Sequence, residues 1–428
     1  MTITLPADPS EVQYEDFVAA LLLASGYFIE PRLKFRDNGV ELLELDVVAT
    51  PANEKYLDRI LVEAKSGGWG FADFFKVFGW VAFLKLGGGF LIHKTPADER
   101  KKQMLDRLKP DTRIECCEIS QAKLFEGAIP ICNTLEPVER KVLLATAWYA
   151  LIGQRLALGK LIHRYKSSPT LGLEGALKYQ RACERSFFNR TALERVHSLC
   201  EAYHENPKLT GQFVGEIAAK TKQETKTILY QLTGEDYEQW LQYVMLLEHK
   251  ARVAIIKNSL DHLLDPNAKD EVALTFLGTT FRWTDLNLPP GCCEGLKAVR
   301  DHKHARKLPY LFQLFIEVYG GFYAPKKENE LKLLSNATGI PEAEIPDCLK
   351  LYDVFFPFKE GWFYTIKDEL VALKMVPALA RGAGCFVRQY AFGLKSYAER
   401  YSASVPLGHW HNAFLSILHP ELQKKAGD

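Results

Sequence analysis

Residues 40–65, VELLELDVVATPANEKYLDRILVEAK, decide the fold of the N-terminal part of this chain. Two apolar runs in this stretch, Val40–Thr50 and Leu57–Ala64, predict β-strands separated by a polar turn. Side chains two residues apart in a strand project from the same face, so Glu63 and Lys65 share one pocket. Hairpin-like pairing of the two runs would bring Asp46 beside Glu63.

The sequence on either side of this stretch predicts a small α/β domain. An apolar stripe at helical spacing predicts one helix between Ser10 and Gly26, and a β-rich run at Tyr27–Phe35 precedes a tight-turn signal at 37–39. A second helix is predicted at Phe71–Leu86 and a fourth strand at Phe90–His93. The order helix, three strands, helix, strand predicts a mixed sheet with helices against its faces, because the long crossover permits parallel pairing.

From Glu136 onward the sequence predicts an almost entirely α-helical region. Long amphipathic segments occur at 139–165, 173–205, 236–264 and 385–401. Residues 331–365 resemble a winged helix-turn-helix, with helices at Leu331–Leu334 and Pro341–Leu351 and apolar runs at 354–356 and 362–364. A shorter segment at 214–232 resembles a second helix-turn-helix without a wing.

The chain is too long for one ordinary hydrophobic core, so we expect three domains. These are the α/β domain at 1–130, a helical domain at 131–305 and a helical domain with the winged-helix-like segment at 306–428. No signal peptide pattern opens the chain and no apolar run is long enough for a bilayer, which predicts a cytoplasmic protein without a membrane partner. Nine cysteines without a C-x-x-C motif indicate reduced thiols.

The net charge of +1 hides an acidic N-terminal part, since residues 1–130 hold 16 Lys and Arg against 20 Asp and Glu. Acidic side chains around a catalytic site repel the phosphates of nucleic acid. Basic residues elsewhere on the surface would therefore have to attract these phosphates. The densest basic run contains Arg300, Lys303, Arg306 and Lys307, and Lys76 lies on the second predicted helix. These five residues are candidate phosphate contacts, although solvated surface charge explains them equally simply.

Carboxylates and a lysine at the end of a strand are suited to cleaving phosphodiesters. The reaction needs an activated water, a cation that absorbs charge on the phosphoryl oxygens and a group that positions the nucleophile. Asp46 and Glu63, with the Ala64 carbonyl, offer the oxygen ligands that Mg²⁺ prefers, and Mn²⁺ is a possible substitute. Lys65 would orient the water or stabilise developing charge, and Glu15 would hold a water or a second cation.

These residues resemble the PD-(D/E)XK nuclease superfamily, and within it the Mrr-type restriction endonucleases and archaeal Holliday-junction resolvases. The segments that carry the resemblance are Tyr14-Glu15-Asp16-Phe17, Glu44-Leu45-Asp46 and Val62-Glu63-Ala64-Lys65. It implies a restriction-endonuclease-like domain with Glu15, Asp46, Glu63 and Lys65 as the active site. The sequence departs from the Mrr pattern in having Leu43-Glu44-Leu45-Asp46 where that family has Gly-Gly-Ile-Asp.

The leading hypothesis is therefore an Mg²⁺-dependent endonuclease that hydrolyses DNA, with a role in restriction or antiphage defence. Two active sites are needed to cut both strands, so a homodimer is expected, and the C-terminal helical region could bind a protein partner. The same chemistry suits RNA, which makes an RNA-cleaving effector an alternative. A non-catalytic adaptor or regulator that keeps the nuclease fold as a scaffold is the other alternative.

Overall fold

The architecture comes from a computed structural model of the 428-residue chain. The structure describes residues 8–37, 40–53, 59–120, 129–167, 171–189, 191–205, 237–264, 274–276, 279–281, 286–319, 322–323, 328–355, 364–366 and 370–372.

The N-terminal part is a mixed five-stranded sheet in which the strands lie in chain order, β1-β2-β3-β4-β5. The strands are β1 Tyr27–Asp37, β2 Val40–Pro51, β3 Ile60–Lys65, β4 Gly88–His93 and β5 Ile114–Glu118. The first three pair antiparallel, and β3, β4 and β5 pair parallel. The expected parallel pairing of the third and fourth strands is thereby confirmed. The fifth strand and the helix before it were not predicted.

Three helices flank this sheet: α1 Val12–Ala24, α2 Phe71–Phe83 and α3 Glu99–Thr112. Helix α1 is buried along nearly its whole length and packs with Val47 and Val62 on one face of the sheet. Helix α2 packs through Phe74 and Val77 on the other face, in a separate apolar cluster that includes Leu61. Residues alternate between the two faces along each strand. Glu63 therefore lies on the α2 face, together with Leu61.

Glycines at the start of β4 allow α2 and the chain before β5 to approach closely. A Cβ added to Gly89 would lie 2.6 Å from Cγ1 of Val77, and one added to Gly88 would lie 2.8 Å from the carbonyl oxygen of Arg113. Both separations are too short for non-bonded atoms. The triple glycine therefore ends the α2 connection and also permits the tight packing of α2 on the sheet.

The remainder of the described chain is rich in helices. They are α4 Pro137–Ser167, α5 Leu171–Ser186, α6 Ala192–Glu205, α7 Tyr237–Leu263, α8 Cys292–Arg300, α9 Leu308–Gln313, α10 Glu328–Thr338 and α11 Ile345–Phe355, with a π-helical turn at Leu314–Val318 after α9. The predicted helices at 139–165 and 236–264 correspond to α4 and α7. The single helix predicted at 173–205 is wrong, because the chain turns after Ser186 and restarts at Ala192.

The segment that resembles a winged helix-turn-helix contains two helices and a small antiparallel sheet. Strands β8 Phe322–Tyr323, β9 Tyr364–Ile366 and β10 Leu370–Ala372 form this sheet in the order β8-β10-β9. Val354 and Phe355, from the apolar run at 354–356, form the last turn of α11. A separate hairpin, β6 Leu274–Phe276 with β7 Thr279–Phe281, was not predicted.

One hydrophobic core connects the sheet to the helical part. Buried residues from Tyr14 in α1 through Trp148 in α4 to Phe355 in α11 form a single cluster. Within it the Phe17 and Trp148 rings meet edge to face, with centroids 5.1 Å apart. The predicted domain limits at residues 130 and 305 stay predictions, and this core extends across both positions.

Several sequence predictions fall outside the described residues: the helix-turn-helix at 214–232, the helix at 385–401 and the turn residues 38–39. Residues 356–363 of the winged-helix-like segment are outside them too. In the described residues, no helix is long and apolar enough to cross a membrane.

A buried ion cluster joins α1, β1 and α4. Asp16 of α1 is fully buried and pairs with Arg32 of β1 and, at 2.7 Å, with Nε of Arg155 of α4. Removing one member of a buried ion pair leaves an uncompensated charge.

We expect Asp16→Asn to lower the free energy of unfolding by about 3 kcal/mol, because it leaves the guanidinium groups of Arg32 and Arg155 without their carboxylate partner. Chemical denaturation measures this, with the exposed Asp301→Asn as control; equal stabilities of the two variants would contradict the structural role of the cluster.

Candidate active site

Asp46 and Glu63 lie near each other on β2 and β3. The paired ladder of these strands ends at Val47 and Val62, and Asp46 and Glu63 are the next residues along the two strands. The Ala64 backbone N–H donates a hydrogen bond of 2.8 Å to Oδ2 of Asp46, which holds this carboxylate against β3. The charge of Glu63 is also close enough to act on Asp46. The structure thus brings together the two carboxylates that the sequence predicted to meet.

Lys65 lies beside Glu63 at the end of β3. Its Nζ is 2.9 Å from Oε1 of Glu63 and 3.1 Å from Oδ1 of Asp73. Burial disfavours the charge on Lys65, but hydrogen bonds and ion pairs to the two carboxylates outweigh it and raise the pKa of Lys65 above its ordinary value. Lys65 is therefore a cation at neutral pH, and its ammonium group points into the carboxylate cluster.

Two residues of α2 complete the cluster. Nζ of Lys76 lies 2.7 Å from the same Oε1 of Glu63, whose side chain is 4% exposed. Asp73, in the first turn of α2, accepts a hydrogen bond of 2.9 Å from the Gly70 backbone N–H. This hydrogen bond and the contact with Lys65 hold the pKa of Asp73 below its ordinary value despite partial burial. The N-terminal turns of α2 therefore cover the carboxylates from the α2 side.

Glu15 lies in the first turn of α1, near the same end of β3. The Glu11 backbone N–H donates to Oγ of Ser66, which places the start of α1 beside the residue that follows Lys65. Burial raises the pKa of Glu15, and the negative charges of Glu44, Asp16 and Glu63 raise it further, while Arg32 opposes them. Glu15 therefore interacts electrostatically with the cluster.

The electrostatics of the cluster centre on Asp46. Burial and the nearby charge of Glu63 raise the pKa of Asp46 to about 7, against the hydrogen bond from Ala64 and the positive charge of Lys76. Two carboxylates that repel each other in a partly buried site resist simultaneous ionisation. A cation between them would relieve this repulsion, which makes the pair chemically suited to a metal ion.

The donor set fits a hard divalent cation that needs few protein ligands. Mg²⁺ is commonly held through one or two carboxylates and keeps several waters. Within the described part of the chain, no group of three or more His, Cys, Asp or Glu side chains is arranged to hold a metal ion. Asp46 and Glu63 are thus two carboxylates without a third acidic, His or Cys side chain beside them in this part of the chain, and the ion pairs of Glu63 with Lys65 and Lys76 occupy part of its coordinating capacity.

The position of the cluster in the sheet suits ligand binding. The parallel strands β3, β4 and β5 end in register at Lys65, His93 and Glu118. Ligands of open α/β sheets bind outside the carboxyl ends of the strands. His93 there stacks on Trp69 with centroids 4.5 Å apart, and burial, the largest influence, lowers the pKa of His93. The carboxylates thus lie near the carboxyl ends of the parallel strands.

The sequence left Lys76 as either a phosphate contact or a surface charge, and it did not identify Asp73 at all. Lys76 lies on α2, and no local sequence pattern reveals how close this helix lies to β3. The one available signal for Asp73 was its place in the first turn of a predicted helix, which only indicates capping. The contact of both residues with the β3 side chains depends on how α2 packs on the sheet.

The aromatic residues of α2 divide between the core and the surface. Phe74 is buried in the cluster beneath the helix, whereas Phe75 and Phe78 are 48% and 37% exposed. The aromatic residues of this helix allow two interpretations, core packing and stacking on unpaired bases. Core packing holds for Phe74, and base stacking by the exposed rings stays a prediction.

The basic run at 300–307 makes its polar contacts within the helical part of the chain. Lys303 is paired with Glu344 at 2.7 Å, Lys307 donates to the Gly339 carbonyl and Arg306 donates to the Leu264 carbonyl. Arg300 pairs with its neighbour Asp301. These contacts do not join the run to the carboxylate cluster, and phosphate binding by these four residues stays a prediction.

Comparisons with protein families, with characterised proteins and with solved structures found no significant match for this chain.

Proposed function

We propose that this protein is a divalent-metal-dependent endonuclease whose active site comprises Asp46, Glu63 and Lys65, with Glu15 and Lys76 around them. The supporting observation is the convergence of two neighbouring carboxylates and an ammonium group at the end of a parallel strand. The αβββαβ order of the N-terminal elements agrees with a restriction-endonuclease-like fold. This combination favours phosphodiester hydrolysis over other reactions of acidic residues, because it places cation ligands and a positive charge together.

In this mechanism each residue has a distinct part. Asp46 and Glu63 would hold Mg²⁺. The backbone N–H of Ala64 donates to Asp46. Because the N–H and C=O of one strand residue point to the same side of the strand, the Ala64 carbonyl also points toward Asp46. A bound Mg²⁺ supplies Lewis acidity toward the phosphoryl oxygens and lowers the pKa of a water. Lys65 orients the phosphate and stabilises the negative charge that develops on it. Glu15 positions water at the α1 side.

The helical part would select the substrate or a partner. Its last described segment has the strand and helix order of a winged helix, with α11 as the second helix of the turn. The exposed residues of α11 include Asp347 as well as Lys350, which pair with each other. This balance favours a protein contact as much as a DNA groove. DNA is the proposed substrate, with RNA as the alternative that the same site would serve.

The direct test is hydrolysis of supercoiled plasmid and of single-stranded DNA and RNA by the full-length protein with Mg²⁺ or Mn²⁺. We expect nicking or linearisation of at least one DNA substrate, and no cleavage in EDTA. Equal product in EDTA and in Mg²⁺ would contradict the proposal, since the site depends on a cation.

A non-catalytic adaptor is the second candidate, and one observation favours it. Both Lys65 and Lys76 contact the same oxygen of Glu63, so the structure neutralises this carboxylate without a metal. Calorimetry with Mn²⁺ distinguishes the two functions. A nuclease binds Mn²⁺ and loses this binding in Asp46→Asn, whereas an adaptor shows no Mn²⁺ binding in either protein.

Lys76 competes with the proposed cation for Glu63, which gives a further prediction. We expect Lys76→Met to bind Mn²⁺ about fivefold more tightly than the wild type, because removal of a half-exposed competing charge is worth roughly 1 kcal/mol. The matched control is Lys102→Met, on the exposed surface of α3. Weaker Mn²⁺ binding by Lys76→Met would show instead that Lys76 supports the metal site.

A further inference from the structure

A large cavity lies between the first strand of the sheet and the helices of the second half. Its volume is about 610 Å³, and its walls come from β1, α4, α5, α6, α7 and the segment after α9. Small-molecule sites have volumes of roughly 300–1,000 Å³. The cavity is therefore large enough for a ligand of the size of a nucleotide, and it is separate from the carboxylate cluster.

Basic side chains outnumber acidic ones on the cavity wall, with seven basic and three acidic side chains. Three of the basic residues also pair with carboxylates outside the wall: Arg32 and Arg155 share Asp16, and Lys34 pairs with Glu41 and Glu44. On the wall itself, Nζ of Lys250 is 3.5 Å from Oε2 of Glu317. These pairs leave a small excess of positive charge, which favours an anion.

Arg195 carries the strongest indication of a ligand. This residue is 6% exposed, and its Nε and Nη1 atoms have no hydrogen-bond partner among the residues that the structure describes. Burial and the nearby positive charge of Arg59 lower the pKa of Arg195 to about 9, although Glu30 and Asp261 attract it from a distance. A buried guanidinium without hydrogen bonds is costly, and an anion in the cavity would supply the missing acceptors.

The rest of the wall suits an apolar or aromatic body. Leu177, Leu199 and Val253 are buried and line the cavity, as does Phe187, whose ring lies 5.1 Å from the Arg59 guanidinium. Ligand sites of this type combine apolar walls with a few placed polar groups. The planar guanidinium groups of Arg181 and Arg195 match phosphate oxygens in fork geometry.

We infer that this cavity binds a phosphate-bearing ligand with an apolar or aromatic body, of which a nucleoside monophosphate is the representative. Arg195 donates hydrogen bonds to the phosphate, and the leucine and valine side chains contact the body. The inference rests on the cavity and its charges and is independent of the nuclease proposal.

Calorimetry on the full-length protein tests it with four probes: AMP, adenosine, inorganic pyrophosphate and decanoate. We expect AMP to bind at one site per chain and more tightly than adenosine. Arg195→Met should weaken AMP at least about tenfold, since a hydrogen bond to a charged group contributes about 1.5–3 kcal/mol. Arg107→Gln, a change on the exposed surface of α3, should bind AMP as the wild type does.

The melting temperature separates a ligand site from a purely structural role of Arg195. Because Nε and Nη1 of Arg195 have no hydrogen-bond partner among the described residues, Arg195→Met should melt at the same temperature as the wild type or higher. A second variant, Leu158→Trp, narrows the cavity from α4 without touching Arg195 and should also weaken AMP. The inference is overturned if the wild type binds neither AMP nor pyrophosphate, if decanoate binds in preference to AMP, or if both variants bind AMP as tightly as the wild type.

Discussion

Asp46→Asn and Lys65→Ala are each expected to reduce DNA cleavage by roughly 10²–10³-fold, the usual effect of removing one group that stabilises transition-state charge. Asp46→Asn removes a cation ligand but retains an oxygen that can accept the hydrogen bond from Ala64. Lys65→Ala removes the ammonium group 2.9 Å from Glu63. The rate of supercoiled plasmid loss in Mg²⁺, at saturating protein, measures both effects.

The controls match the chemistry of these two substitutions. Asp301→Asn removes an exposed carboxylate from the helical part, and Lys102→Ala removes an exposed ammonium group from α3. Both controls should cleave at the wild-type rate. Cleavage by Asp46→Asn and Lys65→Ala at the rate of their controls would place the catalytic centre elsewhere or attribute the activity to another protein in the preparation.

The second large effect concerns stability as a function of pH. Burial and the charge of Glu63 raise the pKa of Asp46 to about 7 in the folded protein, whereas an unfolded aspartate has a pKa of about 3.9. At pH values between about 4 and about 7, Asp46 retains its proton in the folded state, whereas it has released it in the unfolded state. The contribution of Asp46 to the free energy of unfolding therefore falls as pH rises from about 4 to about 7, and it stays low above pH 7.

Asp46→Asn removes this titration and should stabilise the metal-free protein at pH 8 by a few kcal/mol, on the order of 1.4 kcal/mol for each unit of pKa difference. At pH 4 the wild type and the variant should be equally stable. Urea denaturation in EDTA at several pH values measures the difference between the two proteins. A variant that is less stable than the wild type at pH 8 would show that the Asp46 charge is stabilised in the folded state.

A divalent cation should restore the free energy of unfolding that the wild type loses above pH 7, and it should not stabilise Asp46→Asn. Binding of Mn²⁺ at 100 times its dissociation constant adds about 2.7 kcal/mol to the free energy of unfolding. The metal-free site thus destabilises the fold, as expected where function requires two carboxylates to be close together.

The sequence predicted the elements of the sheet well because local patterns specify them. Alternating and continuous apolar runs marked β1 through β4, and the apolar stripe before Gly26 marked α1. Strand β5 was missed because Ile114–Glu118 is short and only two of its five residues are buried. The break between α5 and α6 was missed because both helices keep amphipathic spacing, and the turn between them has no proline or glycine.

The candidate site followed from the sequence where it depends on strand periodicity. Glu63 and Lys65 share a face because they are two residues apart in β3, and the antiparallel connection of β2 with β3 set Asp46 near Glu63. Glu15 was placed by the order of motifs alone. The structure puts its helix beside Ser66, although the remaining distance to the carboxylates depends on how α1 packs.

The amino-acid sequence by itself determined which residues of one strand share a face and which apolar runs form the sheet, since a period of two residues fixes both. Only the tertiary structure decided that Lys76 and Asp73 contact the β3 side chains. It also decided that Arg195 lines a cavity, with two guanidinium nitrogens that have no hydrogen-bond partner in the described part of the chain. Those contacts join residues from separate elements, and their positions depend on helix packing across the sheet and on the shared core. Neither the packing angle nor the space left between elements is encoded in the spacing of nearby residues.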